Sequence, residues 1–210
     1  MKLQIALDMV NLQSAEEIVK EVQNSIDIIE IGTPFVIDEG IRAVRHMKEA
    51  FPKLSVFADL KIMDAGRIEA KSAFKAGADI VSVLGASDDE TIRSCVAVAK
   101  EYSKSVLVDM IDVRDLEKRA AEIDKLGVDY ICVHTAFDVQ KTGKNPLHDL
   151  QLVKRVVKHA KVAVAGGVKL ETLPQIADEE PEIVIVGGGI TNQSNKGQIA
   201  AKMKEIMQKG

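Results

Sequence analysis

The stretch Ser55–Asp64, with the sequence SVFADLKIMD, joins an apolar run to charges that are suited to chemistry. Its charged residues Asp59, Lys61 and Asp64 follow the spacing D-x-K-x-x-D. Because alternate side chains of a β-strand share a face, we expect Phe57, Asp59 and Lys61 on one side. Burying a carboxylate and an ammonium is costly unless they are paired or bind a metal. The pattern therefore favours a functional site, with a buried structural ion pair as the alternative.

Other ionisable or glycine-rich positions also end apolar runs of the sequence. These positions are Asp8, Glu30, Asp109, His134, Gly166-Gly167 and Gly187-Gly188-Gly189. Taken singly, each has a structural explanation, because aspartates cap turns, glycines form tight turns and a lone histidine is more often structural than catalytic. Asp64 is as well suited to a helix N-cap as to catalysis. Their shared position at strand ends is what favours an active site.

Short apolar runs alternate with amphipathic helical segments along the whole chain. The predicted strands are Leu3–Leu7, Asp27–Ile31, Ser55–Leu60, Asp79–Leu84, Ser105–Asp109, Asp129–His134, Lys161–Ala165 and Ile183–Gly187. Eight strand–helix units predict parallel pairing in a sheet that is covered on both faces. We therefore expect an α/β fold, a (β/α)8 TIM barrel of eight parallel strands, as a single domain over residues 1–210. A doubly wound sheet is the alternative, but no GxGxxG motif follows the first strand.

A weak internal repeat accompanies these elements. The segments AGADIVSVLG and LGVDYICVHT share a glycine–x–aspartate–apolar register, which SIDIIEIGT follows less closely. Ser14 and Glu17 have the spacing of a capping box, which predicts a helix from Ser14 onward.

Glu30 and Asp59 would end neighbouring strands of the barrel, at the mouth where the active sites of such barrels lie. Two adjacent carboxylates repel each other unless a cation lies between them. Mg²⁺ typically takes one or two protein carboxylates, several waters and substrate oxygens. We therefore expect a Mg²⁺ site, with Mn²⁺ not distinguished by the sequence. Lys61 would lie beside it, where an ammonium stabilises a developing oxyanion.

His134 ends the sixth strand, and an imidazole is suited to proton transfer near neutral pH. Gly166, Gly167, Gly188 and Gly189 follow the last two strands, where backbone N–H groups bind phosphate in many barrels. Plain tight turns are the alternative for these glycines. Together the residues predict a Mg²⁺-dependent enzyme that acts on a phosphorylated sugar by proton transfer next to a carbonyl.

The composition narrows the class of protein further. A length of 210 residues, with 46% hydrophobic residues, suits one globular domain. The net charge of −4 and the lack of a Lys/Arg block argue against nucleic-acid binding. No run approaches the ~18 apolar residues of a membrane span, and the first residues lack the apolar core of a signal peptide. We expect a cytoplasmic protein that binds neither nucleic acid nor membranes.

The motif D-L-K-I-M-D at residues 59–64 resembles that of the orotidine monophosphate decarboxylase suprafamily, whose barrels share D-x-K-x-x-D at the end of the third strand. Within that group the chain is similar to the 3-hexulose-6-phosphate synthases. The segments that carry the resemblance are LQIALD, DIIEIGTP, VFADLKIMDAG, AFKAGAD, VLG, VAGGVK and VGGGI. The motif alone is moderately specific, whereas the ordered set is strongly so.

The resemblance implies a lyase that condenses formaldehyde with D-ribulose 5-phosphate to D-arabino-3-hexulose 6-phosphate, reversibly and through an enediolate. It implies that Glu30 and Asp59 bind Mg²⁺. It further implies that Asp8 and Lys61 contact substrate hydroxyls and the enediolate. His134 would remove the C1 proton.

The resemblance also implies a homodimer with shared active sites, in which Asp64 reaches into the site of the partner subunit. The nearest alternative is 3-keto-L-gulonate 6-phosphate decarboxylase. Its pattern has Glu, Arg, Thr and Arg where this chain has Asp109, Phe137, Ala165 and Gly188. A guanidinium suits a departing carboxylate, whereas formaldehyde is small and uncharged. The pocket residues therefore favour the synthase.

Two more distant alternatives complete the set. A ribulose-phosphate 3-epimerase would need metal-binding histidines on several strands, but only His134 ends a predicted strand. A non-catalytic barrel that binds a sugar phosphate would not need both a base and a metal site.

Overall fold

In a computed structural model, which describes residues 1–209, eight parallel strands close into a barrel. The strands β1 to β8 are Lys2–Leu7, Ile28–Ile31, Ser55–Ile62, Ile80–Leu84, Ser105–Asp109, Tyr130–His134, Lys161–Ala165 and Ile183–Val186. Each strand pairs with the next along the chain, and β8 pairs with β1. The predicted (β/α)8 barrel is confirmed, with all eight strands at the predicted places.

The helices connect the strands and cover the outside of the barrel. The helices α1 to α11 are Leu12–Val22, Thr33–Glu39, Arg42–Ala50, Gly66–Ala76, Asp89–Tyr102, Leu116–Ile123, Phe137–Gln140, Leu147–Val156, Leu173–Ala177, Gly188–Thr191 and Lys196–Lys209, with a 3₁₀ turn at Asp124–Leu126. One large apolar cluster lies between helices and strands, and a smaller one fills the barrel interior. Because both strand faces are buried, the strands are nearly continuous apolar runs.

The first helix begins earlier than its sequence signal predicted. Helix α1 starts at Leu12 with Asn11 as its N-cap, and the Asn11 side chain accepts a hydrogen bond from the Ser14 N–H. The Ser14 hydroxyl accepts in return from the Asn11 N–H at 3.0 Å. The predicted capping box of Ser14 with Glu17 is therefore wrong, since Ser14 occupies the third helical position rather than the cap.

The internal repeat has a structural meaning at the N-terminal rim of the barrel. The aspartates just before β2, β4 and β6 each accept a hydrogen bond from a backbone N–H at the start of the preceding strand. The pairs are Asp27 with Leu3, Asp79 with Val56 and Asp129 with Val106. Each carboxylate thus joins two neighbouring strands, and we call the three residues the rim aspartates.

Among residues 1–209, no helix is both long enough and apolar enough to cross a membrane.

Candidate active site

The carboxyl ends of β2, β3, β5 and β6 bring the predicted chemical residues to one mouth. Lys61 is the centre of this arrangement, since its Nζ pairs with Oδ2 of Asp59 and lies 3.5 Å from Oδ2 of Asp109. Burial lowers the pKa of Lys61, but the Asp59 and Asp109 carboxylates outweigh this effect and raise it above 10.5. The ammonium therefore remains charged at neutral pH, as oxyanion stabilisation requires.

Asp109 also holds the histidine that ends β6. Nδ1 of His134 lies 2.9 Å from Oδ2 of Asp109, and the other Asp109 oxygen accepts from the Ile111 N–H at 2.9 Å. An ionised carboxylate only accepts hydrogen bonds, so this contact places the proton of a neutral imidazole on Nδ1. Nε2 then carries the lone pair, which is the state that a general base needs.

Glu30 lies in the barrel interior, where 6% of the residue is exposed. Its Oε2 accepts from Nε2 of Gln4 at 2.6 Å. Burial and the nearby Asp59 charge raise the pKa of Glu30 well above 4.5. Two interacting, buried carboxylates at an open mouth fit a divalent cation, because a cation offsets both costs. In residues 1–209, no group of three or more His, Cys, Asp or Glu is arranged to hold a metal. A cation bound by Glu30 and Asp59 would therefore take its other ligands mainly from water and substrate.

Asp8 follows β1 and is half-buried at the same mouth. Burial and the Asp59 charge raise its pKa above 3.8. The space for its carboxylate depends on Gly32, since a Cβ there would lie 2.1 Å from Oδ1 of Asp8. The coupling to Asp59 places Asp8 in the cluster that the sequence predicted.

The two glycine loops after β7 and β8 lie against each other. A Cβ at Gly189 would lie 2.5 Å from the Val168 carbonyl oxygen of the β7 loop. Gly166 and Gly167 have φ values of +95° and +73°, in the region that favours glycine. The loops are thus adjacent, and phosphate binding by their backbone, with Gly188, stays a prediction.

A comparison with known protein families shows to which family this chain belongs. A model described as "Orotidine 5'-phosphate decarboxylase / HUMPS family" matches residues 1–203. The chain belongs to this family. A relative from Bacillus subtilis (strain 168) named 3-hexulose-6-phosphate synthase is 58% identical over 210 residues, which is 100% of both chains. A relative of the same name from Staphylococcus haemolyticus (strain JCSC1435) is 48% identical over 99% of each chain.

A solved structure supports the same relationship. The crystal structure of 3-hexulose-6-phosphate synthase from Salmonella typhimurium has a TM-score of 0.98 and 43% identity, covering 100% of this chain and 99% of that one. The resemblance that the motifs indicated, to the 3-hexulose-6-phosphate synthases of the orotidine 5'-phosphate decarboxylase / HUMPS family, is confirmed.

Asp64, the last residue of the D-x-K-x-x-D motif, is exposed, whereas Asp59 of the same motif is buried. Oδ1 of Asp64 accepts from the Ala65 N–H at 2.6 Å. Helix α4 begins after Ala65 without a side-chain cap. Asp64 is therefore not the N-cap that the alternative interpretation described, and its role across a dimer stays a prediction.

Three polar residues of the site were missed from the sequence. Gln4 contacts Glu30, Thr33 donates to Oδ2 of Asp59 at 3.0 Å, and Ser82 donates to Oδ1 of Asp59 at 2.7 Å. A signal existed for two of them, because Gln4 and Ser82 are single polar residues inside apolar runs. Both point into the barrel and are fully buried. Gln4 therefore holds the Glu30 carboxylate and Ser82 holds the Asp59 carboxylate by hydrogen bonds from the barrel interior.

Proposed function

We propose that this protein is a 3-hexulose-6-phosphate synthase, a lyase that joins formaldehyde to D-ribulose 5-phosphate. The observation that carries the proposal is the contact of His134 with Asp109 beside the Lys61 ammonium. It provides a base and a cation in one mouth, as proton transfer next to a carbonyl requires. The name that the relatives share supports the choice of substrates.

In the proposed reaction, Nε2 of His134 removes a proton from C1 of ribulose 5-phosphate. The resulting enediolate is stabilised by the Lys61 ammonium, and Asp8 contacts a substrate hydroxyl. C1 then attacks the formaldehyde carbon, and a C–C bond forms. The formaldehyde oxygen takes the proton from His134 and becomes a hydroxyl, so no further reactant is needed. The same steps in reverse cleave the hexulose phosphate.

Glu30 and Asp59 are the residues that would hold Mg²⁺, with Mn²⁺ as the alternative. Such an ion supplies positive charge to adjacent oxygens of the substrate. The support is the donor set itself, because two buried carboxylates that repel each other are stabilised by a hard divalent cation. The phosphate of the substrate would bind at the glycine loops after β7 and β8.

A homodimer with shared sites is part of the proposal. The exposed large apolar side chains of residues 1–209 all follow strand carboxyl ends, on the face that carries the mouth. They are Met9, Ile37, Met63, Ile68, Phe137 and Val139. Exposed apolar side chains on one face support association with a second copy.

We also propose that the protein is cytoplasmic. Cys95 and Cys132 are free thiols, as is usual in a reducing compartment.

The test follows formaldehyde consumption by the purified protein with ribulose 5-phosphate, with Mg²⁺ and after chelation. CO₂ release from 3-keto-L-gulonate 6-phosphate is measured in parallel. We expect rapid loss of formaldehyde that needs the metal and the His134 side chain, with little CO₂. The His134→Ala variant is the control for uncatalysed reaction of formaldehyde with the protein. Dominant CO₂ release would instead support the decarboxylase, and binding of ribulose 5-phosphate without either reaction would support a non-catalytic barrel.

A further inference from the structure

Strand β3 leaves regular pairing at the point where it carries Asp59 and Lys61. Ala58 and Ile62 are four residues apart on β3, but their partners on β4 are two residues apart. Lys61 has a φ of +47°, which lies in the left-handed region that is unfavourable for a non-glycine residue. A bulge of this kind redirects side chains. It also removes the Lys61 N–H from the regular ladder, so that group needs another partner.

Ser82 of β4 supplies that partner. The Lys61 N–H donates to Oγ of Ser82 at 2.8 Å, and the Ser82 hydroxyl donates to Oδ1 of Asp59 at 2.7 Å. The residue is fully buried, so water does not compete for these bonds. One hydroxyl provides one donor and two acceptor sites, and it can therefore satisfy both groups at once.

The two oxygens of Asp59 have different partners as a result. Oδ1 is held by Ser82, whereas Oδ2 contacts the Lys61 ammonium and the Thr33 hydroxyl. The hydroxyl thus joins the backbone of one chemical residue to the side chain of the other. Loss of the hydroxyl would leave a buried N–H and a carboxylate oxygen unpaired, which a folded interior tolerates poorly.

We propose that Ser82 is a positioning residue for Asp59 and Lys61. It stabilises the left-handed backbone at Lys61 and fixes the orientation of the Asp59 carboxylate, so that the ammonium and the carboxylate keep one relative geometry at the mouth. Its effect on turnover rests on the proposed function. Its effect on the geometry of the bulge does not.

The first test compares Ser82→Ala with Ser87→Ala. Ser87 is a matched control because it is also buried and its hydroxyl donates at 2.7 Å, but to the Leu84 carbonyl rather than to Asp59. We expect Ser82→Ala to lower kcat by about 10–100-fold, since misplaced groups and lost supporting bonds cost this much. KM for ribulose 5-phosphate should change less than about 3-fold, because the phosphate loops are untouched. Equal kcat in the two variants would overturn the proposal.

A second comparison separates the hydroxyl from simple packing and serves even if Ser82→Ala folds poorly. Ser82→Cys is closer to serine in volume but hydrogen-bonds weakly, whereas Ser82→Thr is larger and keeps the hydroxyl. A positioning hydroxyl predicts a higher kcat for Ser82→Thr than for Ser82→Cys. If the cysteine variant is as active as the threonine variant or more so, Ser82 acts by packing alone.

Two readouts do not depend on turnover. Mn²⁺ titration of the substrate-free protein, followed by electron paramagnetic resonance, should show about 10-fold weaker binding in Ser82→Ala. Crystal structures of the wild type and Ser82→Ala should differ at Lys61, with φ no longer positive in the variant. An unchanged Lys61 φ and Asp59 orientation would overturn the proposal. If the wild type consumes no formaldehyde, the proposed function fails, and the crystal structures still decide the role of Ser82.

Discussion

At the scale of single residues, the surroundings of Asp109 favour the ionised form of its carboxyl group. Burial raises its pKa, but the hydrogen bond and charge of His134 and the charge of Lys61 outweigh burial, so that the pKa lies below 3.8. Asp109 is therefore ionised at neutral pH. In the proposed reaction, Asp109 would orient the imidazole and fix the position of its proton, as a positioning residue for the base.

This role predicts that Asp109→Asn acts through His134. An amide can place an N–H against Nδ1, which favours the wrong imidazole tautomer. We expect exchange of the C1 proton of ribulose 5-phosphate with D₂O to fall by about 10²-fold or more. In a His134→Ala background the same substitution should have little further effect, because the two residues act as a unit. Proton NMR of the exchange measures both effects, and independent, additive losses would contradict the prediction.

At the scale of elements, the rim aspartates explain why the sequence repeats. Each repeat places an aspartate just before an even-numbered strand, and its carboxylate bonds to the backbone of the strand before it. Asp79 has the richest set of partners, since Lys48 and Lys104 donate to its carboxylate at 2.8 and 2.6 Å. The aspartate of each repeat therefore joins two neighbouring strands through a hydrogen bond that its carboxylate accepts from the backbone.

Asp79 should contribute stability that depends on pH. Burial raises its pKa, but the bonds from Lys104, Lys48 and the Val56 N–H outweigh burial and lower the pKa below 3.8. A lowered carboxyl pKa adds stability that is fully present above 3.8 and is lost as the pH falls below that value. We expect Asp79→Ala to reduce the free energy of unfolding by about 2 kcal/mol at pH 7 and by clearly less near pH 3. Urea denaturation at the two pH values measures the difference.

The control for this prediction is Asp129→Ala. Asp129 makes the equivalent bond to the Val106 N–H, and within residues 1–209 it forms no ion pair with a lysine. Its removal should cost less at pH 7, about 1 kcal/mol. A stability loss in Asp79→Ala that is the same at pH 3 and pH 7 would contradict the argument.

The β7 loop gives a second prediction at this scale. Gly166 has a φ of +95°, and a Cβ there would lie 2.1 Å from the Thr135 carbonyl oxygen. Gly166→Ala should therefore lower the free energy of unfolding by about 3 kcal/mol and raise KM for the phosphosugar. Gly143→Ala is the control, since Gly143 has a φ of +83° but nothing within 4 Å of the added carbon. Thermal unfolding should show a loss of about 1 kcal/mol there. Equal losses would mean that strain, not the clash, dominates.

Strand β3 shows what the sequence predicts and what it does not. Its apolar run and terminal charges predicted a strand that carries Asp59 and Lys61 near its carboxyl end, and the structure confirms the strand, Ser55–Ile62. Alternation alone did not predict the bulge, because the bulge depends on a hydroxyl from the next strand, Ser82. The spacing of residues along one strand does not show which side chains of the next strand will contact it. Asp64 is the opposite case, since its proposed role depends on contacts with a second subunit rather than on its own strand.

At the scale of the whole molecule, the exposed apolar side chains are distributed unevenly. Met9 is 85% exposed and Phe137 is 77% exposed, and both follow strand ends at the mouth. Leaving such side chains in water costs free energy that association would recover. The exposed Asp64 carboxylate lies on the same face, next to Met63.

The shared-site arrangement predicts complementation between two inactive variants. Asp64→Ala and His134→Ala homodimers should each have little activity. In a mixed dimer, one site carries both substitutions and the other carries neither, so random mixing should recover about a quarter of wild-type kcat. Co-refolding of the two variants followed by the formaldehyde assay measures this recovery. No recovery from a mixture shown to contain mixed dimers would contradict shared sites.

The placement of the rim aspartates has a consequence for how this barrel can acquire new activities. The bonds that join neighbouring strands lie at one rim, whereas the proposed chemistry lies at the other. Laboratory evolution can therefore replace mouth residues such as Asp8 or Phe137 without weakening the joints between strands. Replacing Asp8 should even remove a repulsion, because burial and the Asp59 charge raise the pKa of its carboxyl above 3.8. Substitutions at the mouth can thus change the activity of the barrel, while the bonds at the opposite rim preserve its fold.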